Sequence, residues 1–425
     1  MFSFFSPVFI ILLFLGVPIY LTMGVTSGLV FASEGSLIPL AQKIIDELNS
    51  PTLLAIPYFV IAATFMERGG VAKALINAAT AWIGRVHGGL GLVSVLTCAI
   101  FAAMCGSSVA TAIAMGTIMI PAMLRNGYNP AFAGGILVSA GTLGILIPPS
   151  LAFVVYGVLA DASSPRLFLG GVVPGIISAA MMGIYVYFYS KKNGYVDRVP
   201  MPRDEKIKKT INAIPALLVP VVVLGGLYGG FVTLTETAAL SAVVAIVLSL
   251  FVYREVKLGD FLQVMTHAVR SAAAIMIIIA MALAFGHLIT ETGIAQKTLD
   301  FVKGLDIQPW QFLLAINIIL IILGMFLEVF SILLIMVPII LPLLEPLGID
   351  PIHFGVVLVI NMELALMSPP VGLNLFVISN ISKIPLAQVL RGTMPFFVLM
   401  VGLLLVVTYI PIISTWLPNL LMGPG

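Results

Sequence analysis

Two carboxylates stand in stretches of this sequence that are otherwise apolar enough to lie in a membrane. Glu328 follows Gly324-Met-Phe-Leu, and Glu363 follows Asn361-Met. Ionisable side chains inside a bilayer are costly, and they usually pair with each other or bind ions and substrates. Either residue alone could instead cap a half-helix, and that alternative stays open. Both carboxylates are therefore candidate site residues.

A short polar stretch, Cys105-Gly-Ser-Ser108, interrupts the apolar residues 88–124. It predicts two half-helices that meet at the tip of a re-entrant hairpin. A broken helix has free N–H groups at one end, which suit an anion, and free carbonyls at the other, which suit a hard cation such as sodium. Packing of small residues or a simple N-cap would explain this stretch equally well on its own.

A second polar stretch follows the first hairpin and then returns in the second half of the chain. It comprises Ser139-Ala-Gly-Thr-Leu-Gly144 and Pro148-Pro149-Ser150. We expect the helix to unwind at Ser139–Gly144, where protein or a water-filled cavity must satisfy the freed backbone groups. The residues from Gly127 to Pro149 have a counterpart 221 positions downstream that contains Asn361, Glu363 and Ser368. Interrupted segments at matching positions of two halves are typical of a transport site.

The same offset relates individual residues of the two halves. Pro130 falls on Pro351, Thr142 on Glu363, and Ser107 on Glu328. Because Ser150 corresponds to Val371, a polar ligand should lie closer to the first half.

The composition places the chain among membrane proteins. Hydrophobic residues make up 60% of it and charged residues 9%, against a usual charged share of about 25%. Recurring apolar runs of about 20 residues are each long enough to cross a bilayer. The net charge of +2 comes without a basic stripe, so nucleic acid is not expected as a partner. No phosphate-binding Gly-x-x-x-x-Gly-Lys loop and no nucleophile with a nearby histidine is present, so we expect a protein that is not an enzyme.

These elements predict an all-α polytopic membrane protein. The predicted apolar spans are 4–22, 24–45, 52–66, 167–190, 211–230, 236–253, 265–290 and 394–416. Amphipathic pieces are predicted at 71–84 and 294–304. Hairpins are predicted at 88–124 and 310–344, with the second turning near Gly324–Glu328, and interrupted helices at 130–160 and 352–381.

The distribution of charge orients the two halves. The loop 191–209 has seven Lys or Arg residues against three Asp or Glu, so it is expected in the cytoplasm. Counting spans from it places the ends of the first hairpin inside and those of the second outside. Arg85 and Arg125 flank the first hairpin, whereas no Lys or Arg lies between 304 and 382. The sequence therefore predicts an inverted-topology repeat.

The chain resembles the large membrane subunit of the tripartite ATP-independent periplasmic (TRAP) transporters, and within that family it looks closest to the sialic-acid members. The similarity covers essentially the whole chain. It rests on Gly106-Ser-Ser-Val-Ala-Thr111, Gly144-Ile-Leu-Ile-Pro-Pro-Ser150, Met367-Ser-Pro-Pro-Val371, Pro395, and Glu328 before a run of apolar residues and prolines.

The resemblance implies an elevator-type transporter in the bacterial inner membrane. The expected divisions are 1–84, 167–304 and 391–425 as scaffold, and 85–166 and 305–390 as the mobile transport domain. The implied partners are a small four-helix membrane subunit and a soluble periplasmic substrate-binding protein. Because 425 residues leave no further spans for the small subunit, we expect it to be a separate polypeptide.

The resemblance also implies two sodium sites and a substrate site. The first sodium site would use Gly106, Ser107, Ser139, Gly141 and Thr142, and the second Gly324, Glu328, Met362 and Glu363. Substrate would lie near Ser108, Ser150 and Asn374. The implied function is sodium-coupled import of a small organic acid, with sialic acid favoured over C4-dicarboxylates and other carboxylates. The alternatives are a stand-alone sodium–carboxylate symporter or antiporter and, from other classes, an intramembrane enzyme, which would need a convergent nucleophile and base, or a purely structural scaffold.

Overall fold

The computed structural model describes residues 7–9, 11–13, 15–33, 37–82, 86–196, 201–291, 293, 297–298, 300, 304 and 307–423. Its helices in chain order are α1 Ile19–Ser33, α2 Ile38–Leu48, α3 Pro51–Arg68, α4 Val71–Trp82, α5 Gly89–Cys105, α6 Ser108–Arg125, α7 Pro130–Leu146, α8 Leu151–Leu159, α9 Ser164–Asn193, α10 Arg203–Tyr228, α11 Leu234–Val252, α12 Phe261–Glu291, α13 Pro309–Gly324, α14 Val329–Leu344, α15 Pro351–Leu366, α16 Leu373–Ser382, α17 Leu386–Tyr409 and α18 Ile412–Met422.

The all-α membrane fold is confirmed. Among the described residues, seven helices are long and apolar enough to cross a membrane, or nine if each bent pair is one span. Both hairpins and the first amphipathic piece are present as α5–α6, α13–α14 and α4. The second amphipathic piece, 294–304, lies largely outside the described residues.

Three predicted boundaries are wrong, and proline or glycine explains two of them. The first break falls at Gly16–Pro18, where Gly16 has φ +74° and Pro18 precedes α1, rather than near residue 23. The last span divides at Pro411 into α17 and α18. The basic loop 191–209 is partly helical, because α9 continues to Asn193 and α10 begins at Arg203.

The elements of the two halves recur at the predicted offset. Helices α6 and α14 begin at Ser108 and Val329, and α7 and α15 begin at Pro130 and Pro351, 221 positions apart in each case. The caps recur too: Asn129 and Asp350 each accept a backbone N–H at the start of the broken helix. Ser107 and Glu328 each occupy the N-cap of the second half-helix of a hairpin.

Both broken helices are present, but the helix does not unwind where the small residues cluster. Helix α7 runs through Ser139–Gly144 and ends at Leu146, and α15 runs through Asn361 and Glu363 and ends at Leu366. The two breaks lie at the Pro-Pro pairs, Pro148-Pro149 and Pro369-Pro370. The small residues instead let other segments approach the helix: a Cβ on Gly144 would lie 2.5 Å from the Ser107 carbonyl oxygen.

Packing groups α9 and α17 with the broken helices. Helices α7 and α17 touch closely: a Cβ on Gly135 would overlap the Gly392 backbone, and a Cβ on Gly392 would overlap the Ala131 backbone. Gly171 of α9 likewise touches the Leu146 carbonyl at the end of α7. The expected scaffold segments 167–304 and 391–425 therefore each contain a helix that packs in the core of the broken-helix body.

A second set of helices packs closely together, and it touches the first set where Gly286 of α12 lies against Pro338 of α14. The Ser249 hydroxyl of α11 donates to the Phe65 carbonyl of α3 at 2.8 Å, and the Phe65 ring lies 5.7 Å from that of Phe261 in α12. Gly24 of α1 lies against Met281 of α12. The Trp82 indole of α4 donates to the Thr210 hydroxyl of α10 at 2.8 Å, and the Tyr253 hydroxyl after α11 donates to the Asn212 carbonyl of α10 at 3.0 Å. Helices α1 to α4 and α10 to α12 are therefore grouped as one body, and α5 to α9 with α13 to α18 as the other.

Candidate functional site

The first hairpin tip is joined to the first helix break by backbone contacts. Gly106 ends α5 with φ +63°, and Ser107 caps α6 by accepting the Ala110 N–H at 3.4 Å. The Gly106 carbonyl accepts the Leu151 N–H at 3.4 Å. Gly106 therefore supplies both the turn of the tip and its link to the break.

Ser150 holds the other side of that break. Its hydroxyl donates to the Ile145 carbonyl near the end of α7 and accepts the Phe153 N–H of α8 at 3.4 Å. One side chain therefore connects the two halves of the broken helix. No hydrogen bond joins Ser150 to Ser108 or Asn374 among those of the described residues.

Ser108 and Asn374 bring the two halves of the chain together. The Asn374 amide donates to the Ser108 hydroxyl at 2.7 Å and to the Val138 carbonyl at 3.2 Å. Ser108 is the first residue of α6, and Asn374 is the second of α16. Asn374 is fully buried, and its Oδ1 has no hydrogen-bond partner. Two helix N-termini, which favour negative charge, therefore meet at a buried polar pair.

The symmetry-related contact has no polar side chains. In the 221-residue frame Ser108 corresponds to Val329 and Asn374 to Phe153. These residues begin α14 and lie in α8, and both are buried. Of the two positions that the repeat relates, only the one at the first hairpin tip therefore has a polar pair among the described residues.

Thr142 and Glu363, which correspond under the repeat, lie close to each other where the broken helices pack. Glu363 is fully buried, and neither carboxyl oxygen has a hydrogen-bond partner. The Thr142 side chain lies beside that carboxyl, but its hydroxyl donates to the Ser139 carbonyl at 2.8 Å instead. An unpaired carboxyl at this depth is costly and needs an explanation.

The second hairpin tip also contacts its break. Gly324 lies against Ala365 of α15 with no space for a Cβ, and the Val371 N–H donates to the Met325 carbonyl at 3.2 Å. Glu328 accepts the Ser331 hydroxyl at 3.4 Å. The second tip is thus also bonded to the segment after its break, but through residues that are not the repeat equivalents of Gly106 and Leu151.

This second junction faces a cavity of about 700 Å³ that is mostly apolar. Gly324 and Glu328 line it together with Leu13 and Gly16 near the N-terminus. Glu328 is the one charged side chain among the lining residues, and it is exposed to the cavity.

The residues predicted for the first sodium site therefore lie together, whereas those predicted for the second do not. Gly106, Ser107, Ser139, Gly141 and Thr142 lie where α6, α7 and the first tip pack. The second predicted sodium set is divided: Gly324 and Glu328 line the cavity, whereas Met362 and Glu363 are buried in α15, where Glu363 faces the first half.

Five unpartnered oxygens on four side chains lie in this buried region. They belong to Ser139, Asn361, Asn374 and Glu363. Oxygen donors of this kind suit hard cations, so the residues present fit a sodium ion. No cluster of three or more His, Cys, Asp or Glu side chains occurs in the described part of the chain, so carbonyl and hydroxyl oxygens would have to contribute.

Sequence reasoning missed a buried polar chain beside Asn361. The Asn361 amide donates to Asn317 at 2.8 Å, the Asn317 amide donates to the Thr408 hydroxyl at 3.0 Å, and the Thr408 carbonyl lies 3.3 Å from the His353 ring. Asn317 within the apolar run 310–344 was the signal that could have revealed it.

Known proteins resemble the chain over nearly its whole length. The family described as "Tripartite ATP-independent periplasmic transporter, DctM component" matches residues 7–413. A C4-dicarboxylate TRAP transporter large permease protein of Pseudomonas aeruginosa is 43% identical over 91% of each chain. An isethionate TRAP transporter permease protein of Oleidesulfovibrio alaskensis is 39% identical over 95% of this chain and 64% of the relative. A sialic acid TRAP transporter large permease protein of Vibrio cholerae is 32% identical over 97% of each.

The fold is also similar to that of a solved transporter structure. The YdaH transporter of Alcanivorax borkumensis superposes with a TM-score of 0.63 at 14% identity, over 89% of this chain and 88% of that one.

Proposed function

The chain belongs to the DctM component family of the tripartite ATP-independent periplasmic transporters, and we propose that it imports a small organic anion together with sodium ions. It is a multi-pass protein of the bacterial inner membrane. Its relatives are named as permeases rather than enzymes.

The buried contact between Ser108 and Asn374 carries the proposal for the anion. It joins the N-terminal ends of half-helices from opposite halves of the chain, and such ends present unpaired N–H groups to a negative charge. The unpartnered Asn374 Oδ1 accepts from a substrate hydroxyl, and the first turns of α6 and α16 receive the acid group. Ser150 contributes by fixing the direction of α8.

Sodium coupling is proposed from the unpartnered buried oxygens. These oxygens include those of Ser139 on α7, which packs against the first tip, and of Glu363 on α15, which lies beside Thr142. A cation there compensates the buried carboxyl and draws the broken helices together, so sodium binding prepares the neighbouring anion site. Gly324 and Glu328 at the second tip form the entry for a further cation.

The energetics of such coupling are sufficient for accumulation. One net charge that moves through 100 mV gains about 2.3 kcal/mol. Import of two sodium ions with one monoanion moves one net charge, so the potential alone supports roughly fiftyfold accumulation.

We propose that the movement is of the elevator type, with a larger mobile body than the sequence implied. Helices α9 and α17 pack against α7 through Gly171, Gly135 and Gly392, and breaking those contacts would expose buried backbone. They therefore move with the hairpins and broken helices, while α1, α3, α11 and α12 stay in place.

The partners and the substrate are proposed from the relatives. A small membrane subunit and a periplasmic binding protein complete the system. The DctMQ relative is longer than this chain, so the small subunit is fused in some systems and separate in others. Identity is higher to the C4-dicarboxylate relative than to the sialic-acid one, 43% against 32%, which does not support the preference for sialic acid. We propose a small anionic acid and leave open which one.

Proteoliposomes test this function directly. The chain is reconstituted with its small subunit, and the cognate binding protein is added outside with succinate, isethionate or N-acetylneuraminate. We expect uptake of one acid that needs an inward sodium gradient and the binding protein. Equal uptake with choline in place of sodium would contradict coupling. Uptake by this chain alone would favour the stand-alone symporter.

A further inference from the structure

A basic cavity lies away from the transport site, between the end of α3 and the start of α12. It measures about 540 Å³ and is lined by Arg68 of α3 and by Gln263, Thr266, His267 and Arg270 of α12. All five side chains are exposed. They present two guanidinium groups, an imidazole and an amide to one space.

No acid balances these charges inside the cavity. Its lining contains no Asp or Glu, and no ion pair of Arg68 or Arg270 occurs in the described part of the chain. The nearby acids Glu67 and Glu255 line a neighbouring cavity, which Arg68 also lines and Arg270 does not. Glu255 pairs there with Lys73 at 2.8 Å. The basic cavity therefore has two guanidinium groups and no carboxylate in its lining, which suits an anion.

The cavity lies at the cytoplasmic boundary of the bilayer. The Phe65 and Phe261 rings, 5.7 Å apart, hold the last turn of α3 beside the first turn of α12. Arg254 and Lys257 in the preceding connection place this end in the cytoplasm. The backbone of Arg270 lies about 13 Å further along α12 than that of Phe261. Side chains on a helix lean toward its N-terminus, so the guanidinium extends back to the headgroup level.

We propose that this cavity binds the phosphate group of an anionic membrane lipid, of the phosphatidylglycerol or cardiolipin type. Basic pockets between membrane helices on the cytoplasmic side recognise such headgroups, and arginine binds phosphate oxygens in pairs. Leu262 and Val269, 73% and 52% exposed on the same side of α12, provide an apolar path for the acyl chains. The bound lipid links α3 to α12 in the body that stays in place.

Native mass spectrometry of the purified chain, released from mild detergent micelles, measures this binding. We expect the wild type to retain phosphatidylglycerol or cardiolipin in preference to phosphatidylethanolamine. The double variant R68Q/R270Q should weaken that retention about thirtyfold. The matched control K191Q/K192Q removes the same charge from the same side of the membrane and should retain lipid normally. Equal losses of bound lipid in both variants would mean that retention depends on general surface charge, and would overturn the proposal.

Two further measurements distinguish a lipid headgroup from free phosphate and from the small subunit as the occupant of the cavity. Thermal unfolding in detergent is followed with added phosphatidylglycerol or with inorganic phosphate at the same concentration. A larger stabilisation by the lipid, lost in R68Q/R270Q, supports the proposal, and equal stabilisation by free phosphate overturns the lipid assignment. Lipid retention that disappears when the small subunit is co-expressed would assign the cavity to that subunit instead. Because both arginines are exposed, R68K/R270K, which keeps the charge, serves as the check on folding.

Discussion

The two junctions between hairpin tip and broken helix have related backbones and very different side chains. In the first, Ser108 and Ser150 are buried, and so are Pro148 and Pro149. In the second, Glu328 and the Pro369-Pro370 pair are exposed beside an apolar cavity. In both, a tip carbonyl accepts an N–H from the segment after the break.

The features that the two junctions share follow from the repeat, whereas the side chains that differ between them point to different ligands. The N-caps and the Pro-Pro breaks recur because each half must end and restart a helix inside the membrane without leaving backbone groups unpaired. Hydroxyl and amide groups gather at the first tip, so it suits a polar anion. The second tip carries a single carboxylate, so it suits a cation.

The largest effect is expected from separating the first tip from its helix. Gly144→Ala places a Cβ 2.5 Å from the Ser107 carbonyl oxygen, so the tip must move. We expect uptake to fall about a hundredfold, the order that an ångström of misplacement costs at a catalytic site. Gly402→Ala is the matched control, because no atom lies within 4 Å of its Cβ position. Normal uptake by the Gly144 variant would mean that this contact is not needed.

Asn374→Leu tests whether the polar pair at the first tip recognises the anion. The change removes the unpartnered Oδ1 that is proposed to accept from the substrate. A substrate donor left unpaired costs about 2 kcal/mol, or about thirtyfold in affinity. Substrate titration of uptake measures it, with the exposed Asn126→Leu as control. An unchanged apparent affinity would remove Asn374 from the site.

The two carboxylates allow a direct comparison of the junctions. Glu363→Gln replaces a buried carboxyl, and Glu328→Gln replaces one that is exposed to the cavity. Because charges interact more strongly where water is excluded, we expect the Glu363 variant to need about tenfold more sodium for half-maximal uptake. The Glu328 variant should change less. The reverse order in sodium titrations would make the second tip the principal cation site.

The smallest effect is expected at the cap of α8. Ser150→Ala removes an N-cap and its link to Ile145, which costs about 1 kcal/mol, or about fivefold in uptake at low substrate. Val371→Ala at the corresponding position should have no effect. If both variants behave alike, the polar asymmetry between the junctions has no role at this position.

The local elements of this fold could be predicted from sequence, whereas contacts between distant segments could not. Gly106-Ser107 identified the first tip because glycine ends a helix and serine begins one. Ser139–Gly144 was misread as a break, because glycine lowers helix propensity but also permits the close packing seen at Gly144. The contact between Ser108 and Asn374 joins residues 266 positions apart, and no local pattern could pair them.

The division of helices into two bodies also limits where the chain must bend. Outside the tips and breaks, the polypeptide passes from one body to the other at three places only in the order of the described helices, between α4 and α5, α9 and α10, and α12 and α13. The sliding movement proposed above would change the backbone torsions at these three connections. The length and stiffness of these connections would then limit the distance over which the substrate is carried in each transport cycle.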